Sequence, residues 1–396
     1  MSNMCYSPEL PSPPAYHPGD RSPTYSSTPR PTERTLRESP RRSRTPPSGV
    51  CIKSVGNVTL VLMGQEENTE QPAYRAGAQL TGSILLQHPE NTISVVVTIH
   101  GLLEMCPLAA SYSAIPVVTI TNTLYAQRSE NSPLCPHSLA FAYDLPSMFR
   151  RQRNGEAHPL PPTCHISLDD SPLHYVRCAY GITVTVQSFR HQRFPSFLMK
   201  TESVSFDLHY RPHVRPSQPP IPDPSLFATV KRCPEEWAQC GFQVIPMGDS
   251  LPVMCDLFTP SVGVFCVAES IPFHLQLSIT GGFIHHIHRF FATGRPIRVS
   301  ILRQIKADTG DRTTKRDIIL GEGTLRVLSK GATLNWEGEA RCRDPSSVVG
   351  SFDCGQTVVV ADMLTVEITP PAGCPLRHTT FGHPIKLTTH RWDEAS

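Results

Sequence analysis

The sequence predicts an all-β protein with two β-sandwich domains that follow an N-terminal tail. Short runs of alternating β-branched and polar residues recur along most of the chain, with Gly and Pro between them. Helical periodicity is scarce, and the chain contains 40 prolines, which are excluded from helix interiors and central strands. A chain of 396 residues is long enough to bury two cores of ordinary size.

The tail is predicted to comprise residues 1–50 and to be disordered. It is rich in Pro, Ser, Thr and Arg and poor in large aliphatic residues. Such a composition cannot bury enough apolar surface to offset the entropy lost on folding. Packed structure is therefore expected to begin at Cys51.

The first sandwich is predicted over residues 51–210, and its strands follow from period-two alternation. Val58, Leu60 and Leu62, for example, alternate with Thr59, Val61 and Met63. Strands are predicted at residues 58–63, 74–84, 94–101, 139–145, 179–186 and 204–210. Residues 106–138 show no clear alternation and are predicted to form a long loop.

A Pro-dense segment at residues 211–225 is predicted to be an extended linker, since prolines stiffen a chain without forming hydrogen-bonded structure. The second sandwich is predicted over residues 226–392. Its predicted strands are 226–231, 253–258, 273–279, 297–301, 323–327, 334–339, 357–360 and 364–368. Residues 234–239 are predicted to form one or two helical turns, and residues 280–294 a long loop.

Several patterns occur in a fixed order along the two halves. The first half contains Tyr74-x-x-Gly77-x-x-Leu80-x-Gly82-x-Ile84 and Leu139-x-Phe141-x-Tyr143-x-Leu145-Pro146. The second contains Val253-x-Cys255-x-Leu257-x-x-Pro260, Ile271-Pro272-Phe273-x-Leu275-x-Leu277 and Trp336-Glu337-Gly338-Glu339. Across residues 51–392 this ordered set resembles the paired, immunoglobulin-like sandwiches of arrestins.

The tail adds Pro13-Pro14-Ala15-Tyr16, a P-P-x-Y segment of the type that binds WW domains. Its prolines favour the polyproline II shape before binding, so docking costs little entropy. Pro13, Pro14 and Tyr16 are therefore the candidate WW-binding residues. The alternative is a chance match, since four-residue patterns recur readily in Pro-rich tails.

With this motif the chain resembles α-arrestin-like adaptors of the fungal type. The resemblance implies a cytoplasmic adaptor that links membrane transporters or receptors, as cargo, to the WW domains of a HECT-type ubiquitin ligase. It also implies peripheral recruitment to the plasma membrane or endosomes for ubiquitin-dependent endocytosis. The alternative is an arrestin-fold structural scaffold in membrane trafficking that recruits no ligase.

The tail also contains candidate phosphorylation sites. Six of them directly precede proline: Ser7, Ser12, Ser22, Thr28, Ser39 and Thr45. Ser43 lies between arginines, in Arg41-Arg42-Ser43-Arg44. Phosphates here would add negative charge to a locally basic segment and could change its docking partners. The alternative is that these residues only reflect the polar composition of the tail.

The sequence favours a binding protein over an enzyme, since it contains no G-x-S-x-G, H-E-x-x-H or P-loop motif, and over a nucleic-acid-binding protein. The formal net charge of +2 gives no bulk attraction to nucleic acid. The 13 cysteines include no C-x-x-C pair and are predicted to be reduced thiols. No apolar segment opens the chain, so no signal peptide is expected. We expect no enzymatic activity, no cofactor and no bound metal.

Three weaker features are interpreted as structural. His285, His286 and His288 lack a neighbouring acidic residue or Cys that would complete a metal site, so a loop or surface role is expected. Gly321-x-Gly323 is predicted to form a turn rather than a dinucleotide-binding loop. Arg303 and Asp362 lie in predicted strands and could form a buried ion pair, but we expect them to face solvent.

Overall fold

The computed structural model describes residues 48–66, 69, 71–107, 111–127, 133–150, 155–189, 199–221, 229–230, 232–247, 253–278, 290–291, 296–330, 333–355 and 357–393. Most of these residues lie in β-strands, which confirms the all-β class. Helical residues within these ranges occur only at 229–230, 232 and 290–291 and in two 3-10 turns, Pro89–Asn91 and Pro234–Glu236. In this part of the chain no helix is long and apolar enough to cross a bilayer.

Strands β1 to β12 form the first half, and their bounds are Gly49–Val55, Val58–Gln65, Ala73–Tyr74, Gln79–Leu86, Thr92–Cys106, Ser113–Ala126, Ser138–Asp144, Met148–Arg150, Ala157–Pro159, Cys164–Ser167, Tyr175–Phe189 and Met199–Tyr210. One sheet has four strands in the order β1-β2-β4-β7. The other has the order β3-β12-β11-β5-β6, with β10 paired to β11. Strands β8 and β9 pair with each other.

Strands β13 to β22 form the second half, and their bounds are Trp237–Val244, Val253–Pro260, Val264–Cys266, Ile271–Ser278, Ile297–Asp308, Thr313–Lys330, Thr333–Ala340, Phe352–Asp353, Val358–Ile368 and Thr379–Thr388. They form one sheet, in the order β13-β14-β16-β19-β18-β17-β21-β22-β15, with β20 paired to β21. Strand β18 pairs with β17 along its first part and with β19 along its second part. The sheet therefore bends at β18, and both of its parts contribute to one apolar core.

The core of the first half also contains side chains from the second half. Strand β17 contributes Ile305 and Ala307 to it, and β21 contributes Val358 and Val360. The earlier residues of β17, including Val299, belong to the second core instead. Both strands thus extend from one core into the other. The proposed domain boundary at 211–225 stays a prediction, but the two halves share buried surface.

Several local predictions are wrong. Strand β1 begins at Gly49, inside the predicted tail, and the predicted helical turns at 234–239 are one 3-10 turn followed by the start of β13. Within the predicted loop 106–138 lies β6, an edge strand whose outer residues are polar and whose register shifts near Pro116, so its alternation is hard to recognise. Residues 229–230, in the predicted strand 226–231, are helical. The predicted turn at Gly321 and Gly323 lies inside β18. A Cβ on Gly321 would overlap the Arg341 carbonyl oxygen, so this glycine permits close strand approach rather than a turn.

The shared core predicts how the chain behaves when it is cut between its halves. Cleavage at a specific protease site inserted into residues 211–225 should leave two fragments that elute together in size-exclusion chromatography. Four aliphatic side chains of the second fragment remain buried in the first core, so separation would expose them to water. Addition of denaturant should then separate the fragments. Separation without denaturant would contradict this packing.

Candidate functional site

A cleft with a volume of about 600 Å³ lies between the two halves, and we call it the central cleft. Strands β10, β11 and β12 form one wall, and residues 345–352 with 387–390 form the other. Residues 211–214 run along it. Its volume lies within the range of about 300–1,000 Å³ that is typical of ligand sites.

The lining of the central cleft is mixed, with more apolar than polar surface, and its charged side chains include more basic than acidic groups. Arg177 and Arg211 contribute guanidinium groups, while Asp207 contributes a carboxylate. Arg177 also lies 3.6 Å from Glu104 and is therefore partly neutralised. Burial and the neighbouring Arg211 lower the pKa of His209, so its imidazole is neutral at neutral pH. The cleft therefore combines apolar surface with a few polar and charged groups that can orient a ligand.

The segment that crosses between the two halves contacts both of them. The Arg211 N–H donates to the Tyr74 carbonyl oxygen at 2.8 Å in the first half. The His213 and His390 rings lie 4.1 Å apart, and the His390 N–H donates to the Val214 carbonyl oxygen at 3.3 Å. Part of the predicted linker is therefore fixed against the C-terminal segment, and this fixes one side of the cleft.

Below the central cleft lies a buried ion pair, which corrects the prediction that Arg303 and Asp362 face solvent. Their side chains are 5% and 0% exposed. Arg303 Nε and Nη2 donate to the two Asp362 carboxylate oxygens at 2.8 and 2.9 Å. Arg303 Nη2 also donates to the Val349 carbonyl oxygen, and Ser351 Oγ donates to Asp362 at 2.7 Å. The Leu387 N–H donates to Ser351 Oγ at 2.7 Å and joins β22 to the network.

The ion pair lies at the boundary between the two cores. In β17, Arg303 lies between Ile301 of the second core and Ile305 of the first. Asp362 holds the equivalent position in β21, directly opposite Arg303 in the strand register. Because Val349 and Ser351 line the cleft and also bond to the pair, the network links the cleft wall to the junction of the cores.

Buried thiols surround this junction. Cys164 and Cys178 lie opposite each other on β10 and β11, and both line the cleft. Burial raises the pKa of Cys164 to about 12 and that of Cys354 to about 12. These thiols are free and protonated at neutral pH, so they are poor nucleophiles. No group of three or more His, Cys, Asp or Glu side chains in the described ranges could hold a metal ion.

The structure does not describe the candidate site residues from the sequence. Pro13, Pro14, Tyr16 and every candidate phosphorylation site are outside the described residues, as are His285, His286 and His288. The central cleft was not predicted from the sequence, because its walls come from segments that lie far apart in the chain. The Arg303–Asp362 pair could have been found, because both residues are in phase with the inward apolar residues of their strands.

The chain was compared with known proteins. No protein-family model matches it, and no curated protein matches it.

Proposed function

We propose that the protein is an arrestin-like adaptor that links membrane transporters or receptors to a HECT-type ubiquitin ligase through Pro13, Pro14 and Tyr16. The observation that carries the proposal is the paired architecture, with two β cores joined through β17 and β21 and a cleft between them. This architecture is compatible with the ordered motifs of residues 51–392. It supplies a folded body that could hold cargo while the tail recruits the ligase.

The WW-binding step follows from the chemistry of the P-P-x-Y segment. Pro13 and Pro14 would fill the aromatic groove of a WW domain, and Tyr16 would add ring contact and a hydroxyl hydrogen bond. A short peptide buries little area, so its dissociation constant should be roughly micromolar to hundreds of micromolar. Recruitment in a cell would then need a second contact, for example clustered cargo.

Titration of the full chain against a panel of ligase WW domains tests the proposal. The wild-type chain should bind at least one of them, and Tyr16→Ala should abolish binding. Tyr25→Ala is the matched control, because Tyr25 lies in the same tail behind Pro23-Thr24 and completes no P-P-x-Y segment. It should bind like wild type. If no WW domain binds, or Tyr16→Ala binds equally well, the scaffold without a ligase link becomes the better hypothesis.

A further inference from the structure

Cys240 and His383 form a thiol–imidazole pair at the side of the second half, away from the central cleft. Cys240 lies on β13 and His383 on β22, and Cys240 Sγ is 3.2 Å from His383 Nδ1. Both residues are half-buried, so the pair is accessible to small solutes. Two positions along the same strands, the Phe242 and Phe381 rings stack at 4.5 Å with an interplanar angle of 6°. This stack fixes the spacing of the two strands beside the pair.

The local environment determines where the proton lies. Burial raises the pKa of the Cys240 thiol and lowers the pKa of the His383 imidazole. At neutral pH the resting pair is therefore a neutral thiol beside a neutral imidazole, with Sγ and Nδ1 within hydrogen-bond distance. A neutral imidazole can accept the thiol proton as a bond to sulfur forms, which is general-base assistance.

We propose that Cys240 is a thiol–disulfide exchange site for small disulfides, with His383 as the base that accepts its proton. Cys240 Sγ attacks one sulfur of the small disulfide, a new S–S bond forms and the original S–S bond breaks. The other half leaves as a thiolate, and the Cys240 proton moves to His383 Nδ1. The product is a mixed disulfide on Cys240, and the released thiolate has taken up the electron pair of the broken bond. No further oxidant is needed.

Two other half-buried cysteines in the same chain serve as the comparison for Cys240. Cys106 and Cys233 are the other half-buried cysteines among the described residues, and the structure records no imidazole partner for either of them. They share the accessibility of Cys240 but lack its base. The remaining described cysteines are buried, and the thiols near the central cleft stay protonated. Selective reaction is therefore expected at Cys240.

The experiment uses the full chain in a Cys5→Ser background, because Cys5 lies outside the described residues. Folded protein is incubated with oxidised glutathione, quenched with acid and mapped by peptide mass spectrometry over time. Cys240 should form the mixed disulfide at least about tenfold faster than Cys106 and Cys233. This is a modest part of the 10²–10⁴-fold rate increase that general-base catalysis can supply. This comparison needs no further variant, so it does not depend on how variants fold.

Two substitutions then test the role of His383. His383→Gln should slow the reaction of Cys240 to the rate of Cys106 and Cys233. His378→Gln is the matched control, since His378 precedes the same strand and pairs with Glu367 at its exposed surface. It should leave the rate unchanged, and thermal unfolding of both variants shows whether they remain folded. Equal rates at the three cysteines, or an unchanged rate in folded His383→Gln, would overturn the proposal.

Discussion

Replacing Asp362 by Ala is expected to destabilise the protein by about 3–5 kcal/mol, because it leaves the Arg303 guanidinium buried without its carboxylate. Arg303 would keep only the Val349 carbonyl oxygen as a hydrogen-bond partner among those described for it. Ser351 Oγ would lose its acceptor at 2.7 Å and keep its weaker contact with the Leu387 carbonyl oxygen at 3.4 Å. Urea denaturation measures this loss in the free energy of unfolding.

Two controls separate the buried pair from ordinary surface charge. Arg298 lies on the same strand as Arg303 and pairs with Glu322, but both side chains are exposed by more than 40%. Arg298→Ala should therefore cost less than about 1 kcal/mol. The double variant Arg303→Met with Asp362→Leu should be more stable than Asp362→Ala by roughly 1 kcal/mol or more, because no uncompensated charge remains. Equal losses for Asp362→Ala and Arg298→Ala would show that the network does not stabilise the junction.

The Arg303–Asp362 pair shows how much could be predicted from the sequence. Alternation places Arg303 on the same strand face as Val299, Ile301 and Ile305, which is the core face. Because charged side chains are rarely buried, Arg303 was expected to face solvent; it is buried because its partner Asp362 lies directly across the sheet. The alternation that places Arg303 on the core face is visible in the local sequence. To recognise that it is buried with a partner required the pairing of β17 with β21, which are far apart in the chain.

Strands in the interior of the sheets with regular alternation were predicted well, whereas irregular strands and the central cleft were not. The predicted strands 94–101 and 179–186 are the middle parts of the longer strands β5 and β11. Two predicted strands, 357–360 and 364–368, prove to be one, because Asp362 interrupts the apolar pattern and not the backbone. The central cleft was beyond sequence reasoning, because its walls meet only when both halves are folded and packed.

Replacing Phe273 by Ala is expected to destabilise the second core by about 3–5 kcal/mol, the usual range for loss of a buried phenyl ring. The side chain is fully buried at 0% exposure on β16. Its ring lies over Gly338 on the adjacent β19 and Gly323 on β18, the next strand beyond it. A Cβ on Gly338 would be 2.6 Å from Cζ, and one on Gly323 would be 3.0 Å from Cε1. Urea denaturation measures the loss. Val327→Ala, at a side chain 51% exposed on β18, is the control and should change stability by less than about 0.5 kcal/mol.

The two glycines allow a further test, because the Phe273 ring occupies the space that their missing side chains would fill. Gly323→Ala alone should destabilise the protein, since its methyl group would press on the Phe273 ring and on Val299 Cβ at 3.3 Å. In the Phe273→Ala background the same methyl group would enter the vacated space and recover part of the loss. The coupling between the two substitutions should therefore be favourable, on the order of 0.5–3 kcal/mol. Strictly additive losses in a double-mutant cycle would show that Gly323 is not needed to accommodate the ring.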